Sequence, residues 1–275
     1  MKKLAEIELI KTLNYTSFKI IIALHFILFL LVIFVASQVD VSVPGFRMKN
    51  LFQFPHVWSS FAWVASWFNL LLAIILMVLV GNEYSFNTFR QHVMNGLGRY
   101  DLVMGKGIVI VLIAIYGLLL VLLSGAVSGI IFTKNIDFSD IFQKAYVLAV
   151  YFIQAVGYMT LGFLIAVLLR NTALSIVMFL LYFIFIEPIL RKFFPQDVRQ
   201  YFPVRIISNL TPMPEFFTVT SEESLLGSAG NSNLTLDAIG IRPEPLPLGI
   251  TVVLAVLYIT LFAFLTSLII RKRDL

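Results

Sequence analysis

The sequence predicts an all-α integral membrane protein with six transmembrane helices, a cytoplasmic amphipathic helix after the second, and a long outer loop between the fifth and sixth. Three observations carry that fold class. Sixty per cent of the 275 residues are apolar and only 13% are charged, about half the charged share of soluble domains. Six apolar runs reach the roughly 20 residues that a hydrocarbon core of about 30 Å demands. The lysines and arginines are distributed unevenly about those runs.

Residues 1–17 precede the first span and read as a short helix at the membrane interface. Their amphipathic wheel is poor, because Glu6 falls inside the arc formed by Ala5, Leu9 and Leu13. Met1-Lys2-Lys3 has the look of a signal-peptide start. The apolar run after it begins late and is of spanning length, so an uncleaved first span is expected. The spans are predicted over 18–39, 57–80, 104–132, 145–169, 172–190 and 248–270. Only Arg170-Asn171 separates the fourth from the fifth, and an arginine is too costly at mid-membrane without a partner, so these residues are expected in a tight hairpin.

The first outer loop carries Pro44-Gly45, and the second span opens with Trp58, Trp63 and Trp67, all the tryptophans of the chain. Aromatic rings of this kind anchor a helix at the headgroup layer. In the third span Ser124-Gly125 and Ser128-Gly129 repeat a small-xxx-small pattern that lets helices approach closely, which makes Gly125 and Gly129 candidates for packing against a second copy. The outer loop, 191–247, is broken into aromatic pieces by Pro195, Pro203, Pro212 and Pro214 and turns polar from Ser221 to Asn233. Asn209-Leu210-Thr211 and Asn233-Leu234-Thr235 fit a glycosylation pattern that a bacterial membrane does not use.

An even number of spans leaves both termini on one side. That side holds Lys2, Lys3, Lys11, Lys19, Arg90, Arg99, Lys106, Arg170, Arg271, Lys272 and Arg273. The short opposite loops hold Arg47, Lys49, Lys134 and Lys144, and the long loop, which weighs little, adds Arg191, Lys192, Arg199, Arg205 and Arg242. Both termini are therefore expected in the cytoplasm of a bacterial inner membrane. The same rule accounts for the net charge of +5, and with no stacking platform or basic soluble domain nucleic acid is not an expected partner.

Between the second and third spans runs a polar stretch, Gly81 to Lys106. On a helical wheel Phe86, Phe89, Val93 and Leu97 share one side, with Asn87, Thr88, Gln91, His92 and Asn95 opposite. Asn82 and Ser85 are the candidate N-caps, and Gly96 and Gly98 the candidate stops. The order of residues here, Glu83 after the second span, then Thr88, then Gly98-Arg99, then Gly105-Lys106 at the next membrane entry, resembles the ABC-2 type permeases of ATP-binding-cassette transporters. This chain has Asn87-Thr88 where many members have Gly-Thr, and Gly98-Arg99 where many have Ser-Arg. The resemblance implies that 82–99 is a coupling segment on which two copies of a separate ATP-binding subunit dock, beside a second permease copy or a sister permease. Glu83, Phe86, Thr88, Phe89, Val93, Leu97, Gly98 and Arg99 in that segment, and Lys106 beyond it, would serve coupling, with Glu83 and Arg99 anchoring by salt bridge to the partner or to each other. The resemblance also implies export, and short re-entrant helices in the outer loop.

The chain itself is not expected to be an enzyme. Gly105-Lys106 has Tyr100 and Gly107 where a phosphate-binding loop needs its first glycine and its hydroxyl, so ATP hydrolysis is expected on the partner. His25, Ser124 and Ser128 are the only candidates for an intramembrane protease and lack a Gly-x-Ser-Gly frame. No cofactor or metal is expected, since cysteine is absent and His25, His56 and His92 lie in different regions. Trp63, Trp67, Asn69, Gln154 and Glu187 are the candidate substrate pathway, Glu187 either pairing with Arg191 or shaping a helix break at Pro188. The high phenylalanine content and scarcity of intramembrane charge favour an amphipathic or lipid-like cargo. An ion-coupled carrier or channel is the alternative, against which stand the near-absence of charge in the spans and of any inverted repeat.

Overall fold

The computed structural model describes residues 2–39, 42–43, 46–134, 137–211 and 246–272. Among them six helices are long and apolar enough to cross a membrane, and the chain is an all-α, multi-pass membrane protein. A spanning segment must satisfy its own backbone, which the helix does internally. The only strands among the described residues are a two-residue antiparallel pair, β1 (Ser42–Val43) and β2 (Phe46–Arg47), in the first outer loop.

An interfacial helix, α1 (Lys2–Asn14), joins the first span, α2 (Thr16–Gln38), through Tyr15 alone. The second span, α3 (His56–Ser85), is followed by the short α4 (Thr88–Met94), then by the third span, α5 (Arg99–Phe132). After α6 (Phe138–Gln143) comes the fourth span, α7 (Tyr146–Leu169). The fifth is α8 (Thr172–Leu181), a π turn at Tyr182–Ile186, and α9 (Glu187–Lys192). Short helices α10 (Gln196–Arg199) and α11 (Pro203–Ser208) follow, and α12 (Leu248–Lys272) is the last span. The Pro44-Gly45 turn, Pro212, Pro214, the polar stretch 221–233, the Asn233 pattern, Arg242 and Arg273 lie outside the described residues.

The apolar windows of α3 and α7 are 56% and 61% buried, against 11% for α2 and 17% for both the fifth and sixth spans. The core therefore forms where α3 and α7 meet α5, and the other spans leave most of their apolar side chains on the outside of the bundle. On the termini side α3 and α5 extend past the expected ends at residues 80 and 104, because nothing interrupts either helix until Asn87 and Gly98. At Gly81 an added Cβ would lie 2.1 Å from Thr172 Oγ1, so α3 and α8 touch there backbone to side chain. The chain turns between α7 and α8 at Arg170, which is left-handed at φ 54°, and Asn171 Oδ1 accepts from Leu174 N at 3.0 Å to cap α8.

The small residues of the third span are used inside the chain. A Cβ on Gly129 would sit 2.4 Å from the Phe54 ring, and one on Gly125 3.1 Å from the Trp58 ring. Trp58 Nε1 donates to the Ile141 carbonyl at 2.7 Å. The expected contact of Gly125 and Gly129 with a second copy is thus replaced by aromatic residues from the start of the second span. Those rings had a nearer groove to fill.

Gly129→Ala should therefore lower stability by about 1–3 kcal/mol through overpacking. Gly107→Ala on the same helix, where a new Cβ meets nothing within 4 Å, should be neutral or stabilising by roughly 0.4–1 kcal/mol. Thermal unfolding of the two variants in one detergent makes the comparison, and equal melting points would refute the assigned packing.

Candidate functional site

The polar stretch after the second span does not form one helix. Asn82 to Ser85 belong to α3, so neither Asn82 nor Ser85 caps a new helix; Ser85 Oγ turns back to the Gly81 carbonyl at 3.0 Å. The break is at Asn87, whose φ of 54° is left-handed. Its N–H bonds to the Tyr84 carbonyl at 3.2 Å and its carbonyl accepts from Gln91 N at 3.1 Å, so one residue ends α3 and opens α4. Asparagine is among the few residues with a side chain that adopt this conformation readily, since its short amide bonds locally. At its other end α4 stops at Gly96, φ +89°. Gly96 N bonds Val93 O at 3.1 Å and Leu97 N bonds His92 O at 3.0 Å, the paired bonds of a Schellman stop. Gly98 N then donates to Asp101 Oδ2 at 3.0 Å to start α5.

This kink splits the expected apolar face. Phe89 is buried against the Tyr84 ring at a centroid distance of 4.8 Å, and the Arg170 guanidinium lies over that same Tyr84 ring at 5.6 Å. Thr88, Val93 and Leu97 are half-buried. Phe86, placed before the kink, is 66% exposed, and Met94 is 74% exposed. The outward face of the elbow is therefore Phe86, Arg90, Gln91, Met94 and Asn95.

Beneath the elbow lies a buried group of four charges. Lys106 Nζ is 2.5 Å from Glu8 Oε2 and 2.6 Å from Glu83 Oε1, and Lys11 bonds the same Glu83 oxygen. Glu8, Glu83 and Lys106 are all under 5% exposed. Gly105 explains how α1 gets this close, since a Cβ there would meet Glu8 Cγ at 3.1 Å. The Gly-Lys pair thus supplies one close approach and one buried cation. Burial and the Glu83 carboxylate push the neighbouring Tyr15 phenol above its ordinary range, which keeps it neutral. The expected pairing of Glu83 with Arg99 is replaced by these lysines, while Arg99 Nη1 donates to the carbonyls of Arg271 at 2.6 Å and Ile270 at 3.3 Å, capping the end of α12.

The candidate substrate-pathway residues do not converge on one lining. Trp63 and Trp67 meet edge to face at 6.1 Å, and Trp67 is 62% exposed. Asn69 faces away from them on the same helix, fully buried, and donates to Gln154 Oε1 at 3.3 Å. Gln154 Nε2 donates to the carbonyls of Ile207 at 3.0 Å and Ser208 at 3.2 Å, the last residues of α11, and its Oε1 also accepts from Thr211 at 2.9 Å. Glu187 takes the opposite end of α11, accepting from Val204 N and Arg205 N at 2.9 Å each. The Arg191 charge still acts on Glu187, but the carboxylate hydrogen-bonds these backbone N–H groups. The helix break appears instead as the π turn just before Pro188, which lacks an N–H to continue a regular ladder. Tyr258 Oη completes the hold by donating to the Tyr201 carbonyl at 2.6 Å. A six-residue helix too short to persist alone is thus capped at both ends by buried side chains of two spans. Thr211 of the Asn209 pattern is buried in this network, while Asn209 itself is exposed.

His25 Nδ1 lies 3.3 Å from Tyr116 Oη, while Ser124 Oγ turns onto its own helix at the Leu120 carbonyl, 2.6 Å away. Among the described residues no three histidine or carboxylate side chains gather as metal ligands do. Comparison of the chain with protein-family models and with curated proteins finds no match.

Two outcomes follow from the two polar clusters. Lys106→Met leaves two buried carboxylates facing each other and should cost about 3–5 kcal/mol of stability, whereas Lys11→Met, on a 17% exposed side chain, leaves Lys106 to meet both carboxylates and should cost less, about 1–3 kcal/mol; denaturant unfolding in mixed micelles measures both. The chain has no cysteine, so Ile207→Cys provides a single label site on buried α11. Gln154→Leu strands the Ile207 and Ser208 carbonyls, a loss of roughly 1–3 kcal/mol, and should speed labelling by a membrane-impermeant maleimide about tenfold or more.

Proposed function

We propose that this chain is the membrane subunit of an ABC-2 type exporter, carrying an amphipathic or lipid-like molecule across the plasma membrane with energy from ATP hydrolysed on a separate subunit. The observation that supports this reading most directly is the elbow at α4. A seven-residue helix stands between two projecting spans with its inner face locked by Phe89 and its outer face exposing Phe86 and Met94. Such an element receives a push at its outer face and passes it to α3 and α5, which the Glu83 and Lys106 pair joins below it. Asparagine at position 87 also makes light of the departure from Gly-Thr, because the position calls for a left-handed residue. In this reading both termini and the elbow are cytoplasmic, as the basic residues favour.

In the proposed cycle, closure of two ATP-binding subunits displaces α4, and two permease copies rock to open the path outward. Arg99 extends the displacement to the end of α12 through its bonds at Ile270 and Arg271. The coupling role falls on Phe86, Arg90, Met94 and Asn95 at the surface, while Glu83, Phe89 and Lys106 act from beneath as supports.

Purification of the tagged chain in mild detergent, with mass spectrometry of what accompanies it, should yield a stoichiometric subunit bearing a Walker-type phosphate loop. Phe86→Asp with Met94→Asp, both on exposed side chains, should reduce that subunit at least about tenfold, since two buried interface contacts of 1 kcal/mol or more each are removed, with insertion and melting unchanged. A wild-type chain that purifies alone at every detergent strength would overturn the reading in favour of a carrier or channel.

A further inference from the structure

The structure leaves a cavity of about 270 Å³ between α1, α2 and α5. Leu9 and Leu13 form its α1 wall, Phe18 and Ile22 its α2 wall, and Leu112 and Ile113 its α5 floor. The hydroxyls on it are those of Thr12 and Tyr116, and the latter already lies 3.3 Å from His25. Leu9, Leu13 and Leu112 are about two-fifths to one-half exposed, so the cavity opens sideways, toward where lipid lies. We propose that it holds one acyl chain of an anionic phospholipid from the leaflet on the termini side, as a resident lipid.

Three features support that occupant. The helix α1 cannot collapse onto the wall, because Glu8 is fixed to Lys106 at one point and the single residue Tyr15 ties it to α2 at another. An apolar groove of this size leaves its lining without packing partners unless a hydrocarbon chain fills it, and it offers ordered water few polar partners. A helix with its side chains is about 10–12 Å across, whereas a cavity of this volume suits an extended hydrocarbon chain. The headgroup is chosen by charge. Glu8 and Lys11 are cancelled in the buried cluster; by sequence the other charges of residues 1–19 are Lys2, Lys3, Lys19 and Glu6, and Lys19, exposed one residue after Phe18 of the α2 wall, favours a phosphatidylglycerol-like headgroup. The inference depends neither on the proposed cargo nor on an ATPase partner.

The test reconstitutes the full chain in nanodiscs of equal parts phosphatidylglycerol and phosphatidylcholine, extracts it, strips lipid stepwise with detergent and counts what remains by native mass spectrometry. One phosphatidylglycerol per chain should persist after the annular lipids have gone. Leu112→Trp, which fills the groove from its rim, should lower retention at least tenfold; Leu123→Trp, exposed elsewhere on the same helix, should not. Lys19→Gln should reduce the preference for phosphatidylglycerol severalfold while a lipid is still held. Leu13→Trp, from the opposite wall, gives the same reading if Leu112→Trp fails to fold. The proposal is overturned by loss of all lipid at the first stripping step, by equal retention of the two lipids, or by retention that neither tryptophan in the groove alters. It is also overturned if these tryptophans dissociate a dimer and leave bound lipid unchanged, which would put a second copy in the groove.

Discussion

The contact between Lys106 and the two carboxylates of Glu8 and Glu83 fixes the termini-side mouth of this molecule. A lysine buried about 10 Å along α5, at 1.5 Å per residue, is tolerable only if its charge is met, and here it is met from two directions. Glu83 comes from the end of α3 and Glu8 from the interfacial helix. Three elements far apart in sequence are thereby held at one point, and Lys11 balances the count. Everything at that mouth inherits its position from this point. The elbow stands on it, the cavity beside α1 is held open by it, and Gly105 has to lack a side chain because of it.

The far end of the bundle solves a related problem with neutral groups. Polar backbone within a membrane is permitted only where protein satisfies it, and α11 brings six residues of it between the spans. Gln154 spends both amide hydrogens on the final carbonyls of that helix and shares its oxygen with Asn69 and Thr211. Glu187 meets two of the initial N–H groups. Close packing completes the arrangement at Gly157, where a Cβ would lie 3.1 Å from Ile207. These polar residues are therefore committed to holding a segment in place, which leaves them few free atoms for a passing solute.

The fold class was legible because six apolar runs of spanning length have no alternative use in a chain with so few charges. Site geometry was legible only where it was local. The stop at Gly96 follows from a glycine after a short helix. Asn87 was the more informative residue, and it was misread as part of a continuous polar face, which put Phe86 on the same side as Phe89. Contacts between residues 72 to 98 positions apart, such as Lys11 with Glu83 and Glu8 with Lys106, have no periodic signature. A balance of two acids and two lysines beside otherwise apolar spans was the one available hint. Gly125 and Gly129 show the same limit, since a small-xxx-small stripe announces a close neighbour without saying whether it is another chain or an aromatic ring from the preceding loop.

The two polar clusters share one helix. Asn69 and Glu83 are 14 residues apart on α3, about 21 Å along the axis and nearly on the same side, because 14 residues complete almost four turns. Between them the helix contains no proline and is fully buried at Leu72, Leu76, Met77 and Val80. A packed, unbroken helix moves as a body and does not absorb a displacement by bending. A shift applied at Glu83 therefore reaches Asn69, and with it Gln154 and the end of α11, without need of a chain of side-chain rearrangements. The start of α11 is held separately, by Glu187 on a span that leans on α3 at Gly81 and has a π turn to give. α11 is therefore suspended between two spans of different regularity, its end tied through Gln154 and Asn69 to the unbroken α3 and its start tied by Glu187 to a span that contains a π turn.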